Sequence, residues 1–150
     1  MPILNFRANE SSEIDGKQIS SSEVLEIAGP RFPAFLIRPN DQPNEHESIQ
    51  GSVLVDTGAR VTCFDVSIAE RIGLPVVDSG SMSSATHSNH IVPIYAGTIA
   101  LPDSGLTLKC NRAYGVSLEE FGIVGLIGRD ALTNAIFIYN GSDGSYSLAL

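Results

Sequence analysis

Residues 53–59 read Val-Leu-Val-Asp-Thr-Gly-Ala, an apolar strand that runs directly into a carboxylate. Burying a carboxylate is costly unless it has a partner or a task. Thr57 adds a hydroxyl beside Asp56. Gly58 has no Cβ, so backbone or ligand can approach closely. Ser52 to Asp56 encloses a short continuous apolar run, as a fully buried strand does, and Val61 to Phe64 is a second such run.

Outward from this stretch the chain is a series of short β-rich segments. Glu23 to Gly29 and Phe32 to Arg38 alternate and read as strands separated by Gly29-Pro30. Residues 39–50 are polar, with two prolines, and read as a surface loop. Asp65 is placed to cap a short helix over Val66 to Ile72, with Gly73 after its end and Pro75 as a stop. Residues 79–90 read as a hairpin with a polar tip. Two long strands follow, His90 to Leu101 and Leu106 to Val116, joined at Pro102-Asp103-Ser104-Gly105. Ile123 to Ile127 is another buried run, and Gly128 to Ala135 reads as a second short helix. Ala135 to Tyr139 and Tyr146 to Leu150 flank Asn-Gly-Ser-Asp-Gly-Ser, a hairpin signal. About ten strands and two short helices make an all-β, barrel-like domain. Residues 1–21, rich in Ser, Glu, Asp and Asn, read as an irregular, flexible N-terminal arm. The domain proper is 22–150.

Asp-[Ser/Thr]-Gly occurs three times, at Asp56, Asp78 and Asp103, so the tripeptide alone decides nothing. Asp103 follows Pro102 between two strands and is ordinary turn chemistry. Asp78 follows a helix stop and leads into the polar hairpin, which suits a strand-end or flap-base role. Asp56 alone has apolar runs on both sides. It also has a companion downstream, Val124-Gly125-Leu126-Ile127-Gly128-Arg129-Asp130.

The pairing of D-T-G-A with L-I-G-R-D resembles the retropepsin-like aspartic proteases, single-domain relatives of retroviral proteases that include stand-alone bacterial members. The resemblance covers roughly residues 22 to 150 and implies a closed acid-protease-like barrel. It implies an aspartic endopeptidase in which two aspartates face one water and share a proton, with no metal or cofactor. One chain carries one good copy. An Asp56–Asp78 pair would separate two lobes by only about 22 residues, too few for a second barrel half. The expectation is therefore a two-fold homodimer in which each copy gives one Asp56.

By the same resemblance Thr57 donates its hydroxyl across the axis, Gly58 presents backbone to carboxylate and substrate, and Ala59 lines the cleft. Arg60 meets the substrate or pairs with Asp130. Leu126, Ile127 and Gly128 pack under the catalytic loop, with Arg129 and Asp130 structural. The hairpin around Gly80 to Val92 is a flap, and Ser84, Ala85, Thr86 and His87 are its substrate-facing candidates. The chain departs from the retroviral pattern in three places. Arg60 stands where an acidic residue follows D-T-G-A. The flap tip reads S-S-A-T-H-S-N-H without glycines. The C-terminus continues into a hairpin, whose Tyr146 to Leu150 is an edge-strand candidate for interchain pairing, with burial inside the barrel as the alternative.

Composition narrows the classes further. Seventeen acidic residues against nine basic ones give a net charge of −8, which argues against nucleic acid as a partner. Hydrophobic residues make up 43% of the chain, enough for a real core. Cys63 and Cys110 are too few for a disulfide framework and read as half-buried thiols on strands. His87, His90 and a distant His46 are a poor zinc set, and no G-x-S-x-G marks a serine hydrolase. Met1 to Ser22 is polar and mixed in charge, unlike a signal peptide, and no run reaches membrane-spanning length, so a cytoplasmic protein is expected. Two functions of different class follow: a dimeric aspartic peptidase, or a catalytically inactive barrel of the same fold that binds a peptide or protein partner.

Overall fold

The computed structural model describes residues 2–8, 13–41, 48–84, 87–102 and 104–150, with the backbone alone at Ile14, Ser84 and His87. Twelve strands are assigned among these residues. They are β1 (Ile3–Arg7), β2 (Glu13–Ile14), β3 (Lys17–Gln18), β4 (Arg31–Ile37), β5 (Ile49–Val55), β6 (Cys63–Asp65), β7 (Val76–Ser84), β8 (His87–Leu101), β9 (Leu106–Val116), β10 (Gly125–Ile127), β11 (Ile136–Asn140) and β12 (Ser145–Ala149). Two helices, α1 (Ser21–Ala28) and α2 (Val66–Arg71), and a single 3-10 turn at Glu119–Phe121 complete the set. The protein is all-β in class, as its sequence predicts.

Seven strands form one sheet in the order β4-β5-β10-β6-β9-β8-β7, and β4 also pairs with β8, so the sheet folds back on itself. Two of its pairings are parallel, β5 with β10 and β6 with β9; the rest are antiparallel. Phe32, Ala34, Val53, Phe64, Ile99 and Ile127 are fully buried between its walls. Each large side chain so buried stabilises the fold by about 1.5–3 kcal/mol. A second sheet, β1-β12-β11, packs on the first through aromatic rings. Phe32 meets Phe6 edge-on at 5.1 Å and Tyr146 edge-on at 5.1 Å. The Tyr146 hydroxyl donates to the Arg31 carbonyl, which ties the two sheets at β4.

Four local expectations are corrected. Glu23 to Gly29 is helical rather than extended. The Ser20 hydroxyl accepts from the Glu23 N–H at 3.3 Å, and the Glu23 carboxylate accepts from the Ser20 N–H at 2.8 Å, which is a capping box. Strand periodicity would put Leu25 and Ile27 on one face. The helix separates them: Leu25 is buried and Ile27 is 66% exposed. Ile3–Arg7, part of the segment read as an irregular arm, is a strand paired residue by residue with β12. That pairing makes β12 the middle strand of its sheet, so Tyr146 to Leu150 is not an edge; β1 and β11 are. Residues 128–135 form successive turns, not a helix, with i to i+3 bonds such as Leu132 N–H to Arg129 O at 3.2 Å. The Thr133 hydroxyl donates to the Arg129 and Asp130 carbonyls, the local competition that keeps such residues out of helices.

The helix after β6 forms as expected. Asp65 is its N-cap: Oδ1 accepts from the Ile68 N–H at 3.1 Å and the Ser67 hydroxyl at 2.6 Å, and Oδ2 accepts from the Leu118 N–H at 2.8 Å. Burial pushes the Asp65 carboxyl up, but the Ser67 hydroxyl and the N–H groups of Leu118, Ile68 and Ser67 outweigh it, and the carboxyl lies below its ordinary value. Replacing Asp65 by Ala is expected to cost about 2–4 kcal/mol in urea unfolding at pH 7. Because the folded carboxyl is the more acidic, its stabilisation is full above the ordinary carboxylate range and fades as pH falls through the folded value. The gap between wild type and Asp65→Asn therefore narrows below about pH 4; an equal gap at pH 7 and pH 3 contradicts this role.

Candidate active site

Parallel pairing brings the two motifs together. β5 and β10 run side by side in register, Gly125 opposite Val53, Leu126 opposite Leu54 and Ile127 opposite Val55. The residue after each strand is Asp56 on one side and Gly128 on the other, so the D-T-G and G-R-D loops leave the sheet at the same end. The Asp56 N–H donates to the Ile127 carbonyl at 3.0 Å and continues the ladder by one bond.

The Asp56 side chain is half-buried, and its two oxygens differ. Oδ1 accepts from the Gly58 N–H at 2.8 Å and the Ala59 N–H at 3.3 Å. Oδ2 accepts no hydrogen bond among the described residues. One oxygen is anchored by backbone and the other keeps its acceptor capacity. A Cβ at Gly58 would stand 3.0 Å from Oδ1, so glycine keeps that approach open.

The second loop braces the first. Arg129 Nη1 donates to the carbonyls of Thr57 and Gly58, both at 2.8 Å. The Arg129 N–H donates to the Ala59 carbonyl at 3.0 Å, and the Asp130 N–H to the Arg60 carbonyl at 3.2 Å. The Asp130 carboxylate accepts from the Thr62 hydroxyl at 2.8 Å and the Thr62 N–H at 3.1 Å, while the Thr62 oxygen accepts from the Gly128 N–H at 3.2 Å. Thr62 is 1% exposed, so each of these bonds satisfies a group that water cannot reach. Thr62 was not among the expected site residues. A hydroxyl inside the apolar run Val61 to Phe64 is the signal that points to it, since a buried hydroxyl needs partners.

Beside this loop lies a groove of about 660 Å³, between Ala59–Val61 on one side and Ser81, Met82 and Ser83 of the β7–β8 hairpin on the other. Leu118, Phe121 and Leu126 supply further apolar wall, and none of Met82, Leu118 and Phe121 was singled out from sequence. The hairpin is the segment read from sequence as a flap. Of its candidate residues, Ala85 and Thr86 lie outside the described residues, and Ser84 pairs with His87 through the backbone. The Arg60–Asp130 ion pair does not form: the Asp130 carboxylate accepts from Thr62 and the Ala131 N–H, while Arg60 is exposed and lines the groove.

The remaining candidates sort by environment. Asp78 lies on β7 with its carboxylate 2.8 Å from Arg112, whose hydrogen bond, with the Ser79 N–H, holds it below the ordinary carboxylate range. Asp103 lies outside the described residues. Cys63 and Cys110 are free and buried on β6 and β9. Burial, with Asp130 and Asp56 nearby for Cys63 and Asp130 for Cys110, pushes both thiols up to about 12, which leaves them unreactive. Among the described residues no three His, Cys, Asp or Glu side chains converge as a metal site requires, and no helix is long and apolar enough to cross a membrane.

A strand-end D-T-G loop, braced by a second loop across a parallel strand pair in a mostly β chain, defines a retropepsin-like fold. The crystal structure of a retropepsin-like aspartic protease from Rickettsia conorii is similar to this chain with a TM-score of 0.54 and 16% sequence identity, over 97% of this chain and 89% of that one. At that identity the likeness is one of fold. No protein-family model matches the sequence, and no curated protein matches it.

Gly128 is where the brace is tightest. A Cβ there would meet the Val61 carbonyl carbon and oxygen at 2.5 Å, both backbone atoms that cannot swing aside. Gly128→Ala is expected to cost at least about 2 kcal/mol in unfolding and to speed hydrogen exchange at the Asp56 amide. Gly141→Ala, where the nearest atom is a Tyr139 side-chain carbon at 3.2 Å, should stay within about 1 kcal/mol of wild type. Equal costs at the two positions contradict the brace.

Proposed function

We propose that this protein is an aspartic-type endopeptidase that works as a homodimer, each copy giving one Asp56 to a shared site. The observation that carries the reading is the split environment of the Asp56 carboxylate: Oδ1 held by the Gly58 and Ala59 N–H groups, Oδ2 uncommitted, on the loop whose Ala59 and Arg60 line a groove. Among the described residues no second Asp-[Ser/Thr]-Gly carboxylate is so placed, because Asp78 is paired with Arg112 on β9. Bringing two Asp56 side chains together across a two-fold axis leaves like charges too close for both to ionise, so one proton is shared.

In this mechanism the ionised member takes a proton from a water while the water oxygen bonds to the scissile carbonyl carbon. The protonated member gives its proton to the carbonyl oxygen as it becomes negative. Collapse of the tetrahedral gem-diol breaks the C–N bond: the leaving nitrogen takes the proton gained from water, and one diol hydroxyl returns its proton to the other carboxylate as C=O re-forms, so the dyad ends with one shared proton as it began. The rigidity of the Asp56 loop, set by Arg129 and by Thr62 with Asp130, keeps reorganisation small during these transfers. Thr57 reaches across the axis, Gly58 and Ala59 face the substrate backbone, and the β7–β8 hairpin closes over it as a flap.

Asp56→Asn tests this reading. Wild-type protein is expected to cleave members of a peptide library between about pH 4 and 7, and the variant to lose at least about a thousandfold in rate while sedimenting as the same dimer. Cleavage that survives Asp56→Asn, or a wild-type protein that cleaves nothing across that range, contradicts it and leaves a peptide-binding module of the same fold.

A further inference from the structure

The groove beside Asp56 has an electrostatic character opposite to that of the chain. The protein carries 17 acidic and 9 basic residues. The ionisable side chains lining the groove nevertheless include Arg60 and His90 and no carboxylate. Glu119 and Glu120 stand on the neighbouring 3-10 turn but do not line it.

Arg60 is one of two arginines whose side chain makes no hydrogen bond or ion pair among the described residues. Arg7, Arg38 and Arg112 pair with Asp143, Asp41 and Asp78. Arg31 donates to the Ala28 and Phe121 carbonyls, and Arg129 to those of Thr57 and Gly58. Arg60 and Arg71 alone make no side-chain hydrogen bond or ion pair among the described residues, and of the two only Arg60 lines the groove. Its backbone is fixed, since its carbonyl accepts from the Asp130 N–H at 3.2 Å, so the guanidinium swings from a defined root four residues past Asp56. Val61, Met82 and Val116 supply apolar surface in the same groove. Against such a wall a charge pair is less screened than one in open water.

We propose that Arg60 selects peptides that carry an acidic side chain two positions from a bulky apolar one, close to the bond that is cut; this rests on the peptidase reading. In an extended peptide, side chains i and i+2 point the same way, so one can enter the apolar part of the groove while the other meets Arg60. The guanidinium fork matches a carboxylate with two parallel N–H to O bonds, which a neutral amide does not reproduce. The chain's net charge of −8 disfavours such a peptide away from Arg60, so the preference is local to that residue.

The test uses two fluorescent decapeptide libraries with Leu fixed and either Glu or Gln fixed two positions to each side of it, the other positions randomised. Cleavage is followed with wild type, Arg60→Gln and Arg60→Glu. Binding is followed by anisotropy with Asp56→Asn and with Asp56→Asn/Arg60→Gln. The Glu library is expected to be preferred about five- to tenfold in both assays when Arg60 is present. That preference should fall to about one with Arg60→Gln, reverse with Arg60→Glu, and shrink at about 0.5 M salt. Cleavage with a Glu-to-Gln ratio that Arg60→Gln leaves unmoved overturns this inference alone. Arg60-dependent binding without any cleavage overturns the peptidase reading and leaves the selectivity standing. Neither cleavage nor binding overturns both.

Discussion

Everything at the candidate site depends on the parallel register between β5 and β10. A shift of one residue would turn Val53 and Val55 out of the core and carry Asp56 away from Gly128. In the observed register, the Asp56 N–H bonds the Ile127 carbonyl, Gly128 passes against the Val61 backbone, and Arg129 reaches the carbonyls of the D-T-G loop. Each of these contacts is short-range and directional. A parallel pair of three-residue overlap holds them only because its neighbours, β4 on one side and β6 on the other, are themselves buried and paired.

The brace also explains how a carboxylate tolerates its position. Asp56 is half-buried at a strand end, where the peptide N–H groups of Gly58 and Ala59 provide donors to one oxygen. Donors fixed by the fold need no reorganisation when charge moves, which is what proton transfer between carboxylates requires. Asp130 serves a different end. Its oxygens are committed to Thr62, and its function is to hold the loop after Asp56 against the turns after β10. Two aspartates in the same small region thus have different environments, one oxygen of Asp56 being unpaired among the described residues while both oxygens of Asp130 accept.

The parts of the fold written in short-range pattern were legible in the sequence. The buried runs at Val53 to Val55 and Ile123 to Ile127, the Asp65 cap with its helix, the long β8 and β9 strands and the Asn140 to Ser145 hairpin all follow from periodicity and turn chemistry. The failures lie where two local rules compete. Glu23 to Gly29 is too short for alternation to outweigh the Ser20–Glu23 capping box. Residues 128–135 have helical spacing, but Thr133 diverts the backbone carbonyls. Ile3–Arg7 alternates yet sits in a polar stretch, and only its pairing with β12, at the far end of the sequence, makes it a strand. At the site, Asp56, Gly58 and Arg129 were legible because they fall in compact motifs. Thr62, Met82 and Leu118 were not, because the bonds and the groove that use them join segments distant in the chain.

The proposed activity requires a second Asp56 supplied by another copy of the chain. The most direct measurement is the separation of the nearest oxygens of the two Asp56 carboxylates in a crystal structure of the assembled protein. The account predicts a two-fold dimer with those oxygens within hydrogen-bond reach, about 2.6–3.2 Å apart. A protein that is monomeric at working concentration, or a dimer whose Asp56 carboxylates face away from one another, contradicts it.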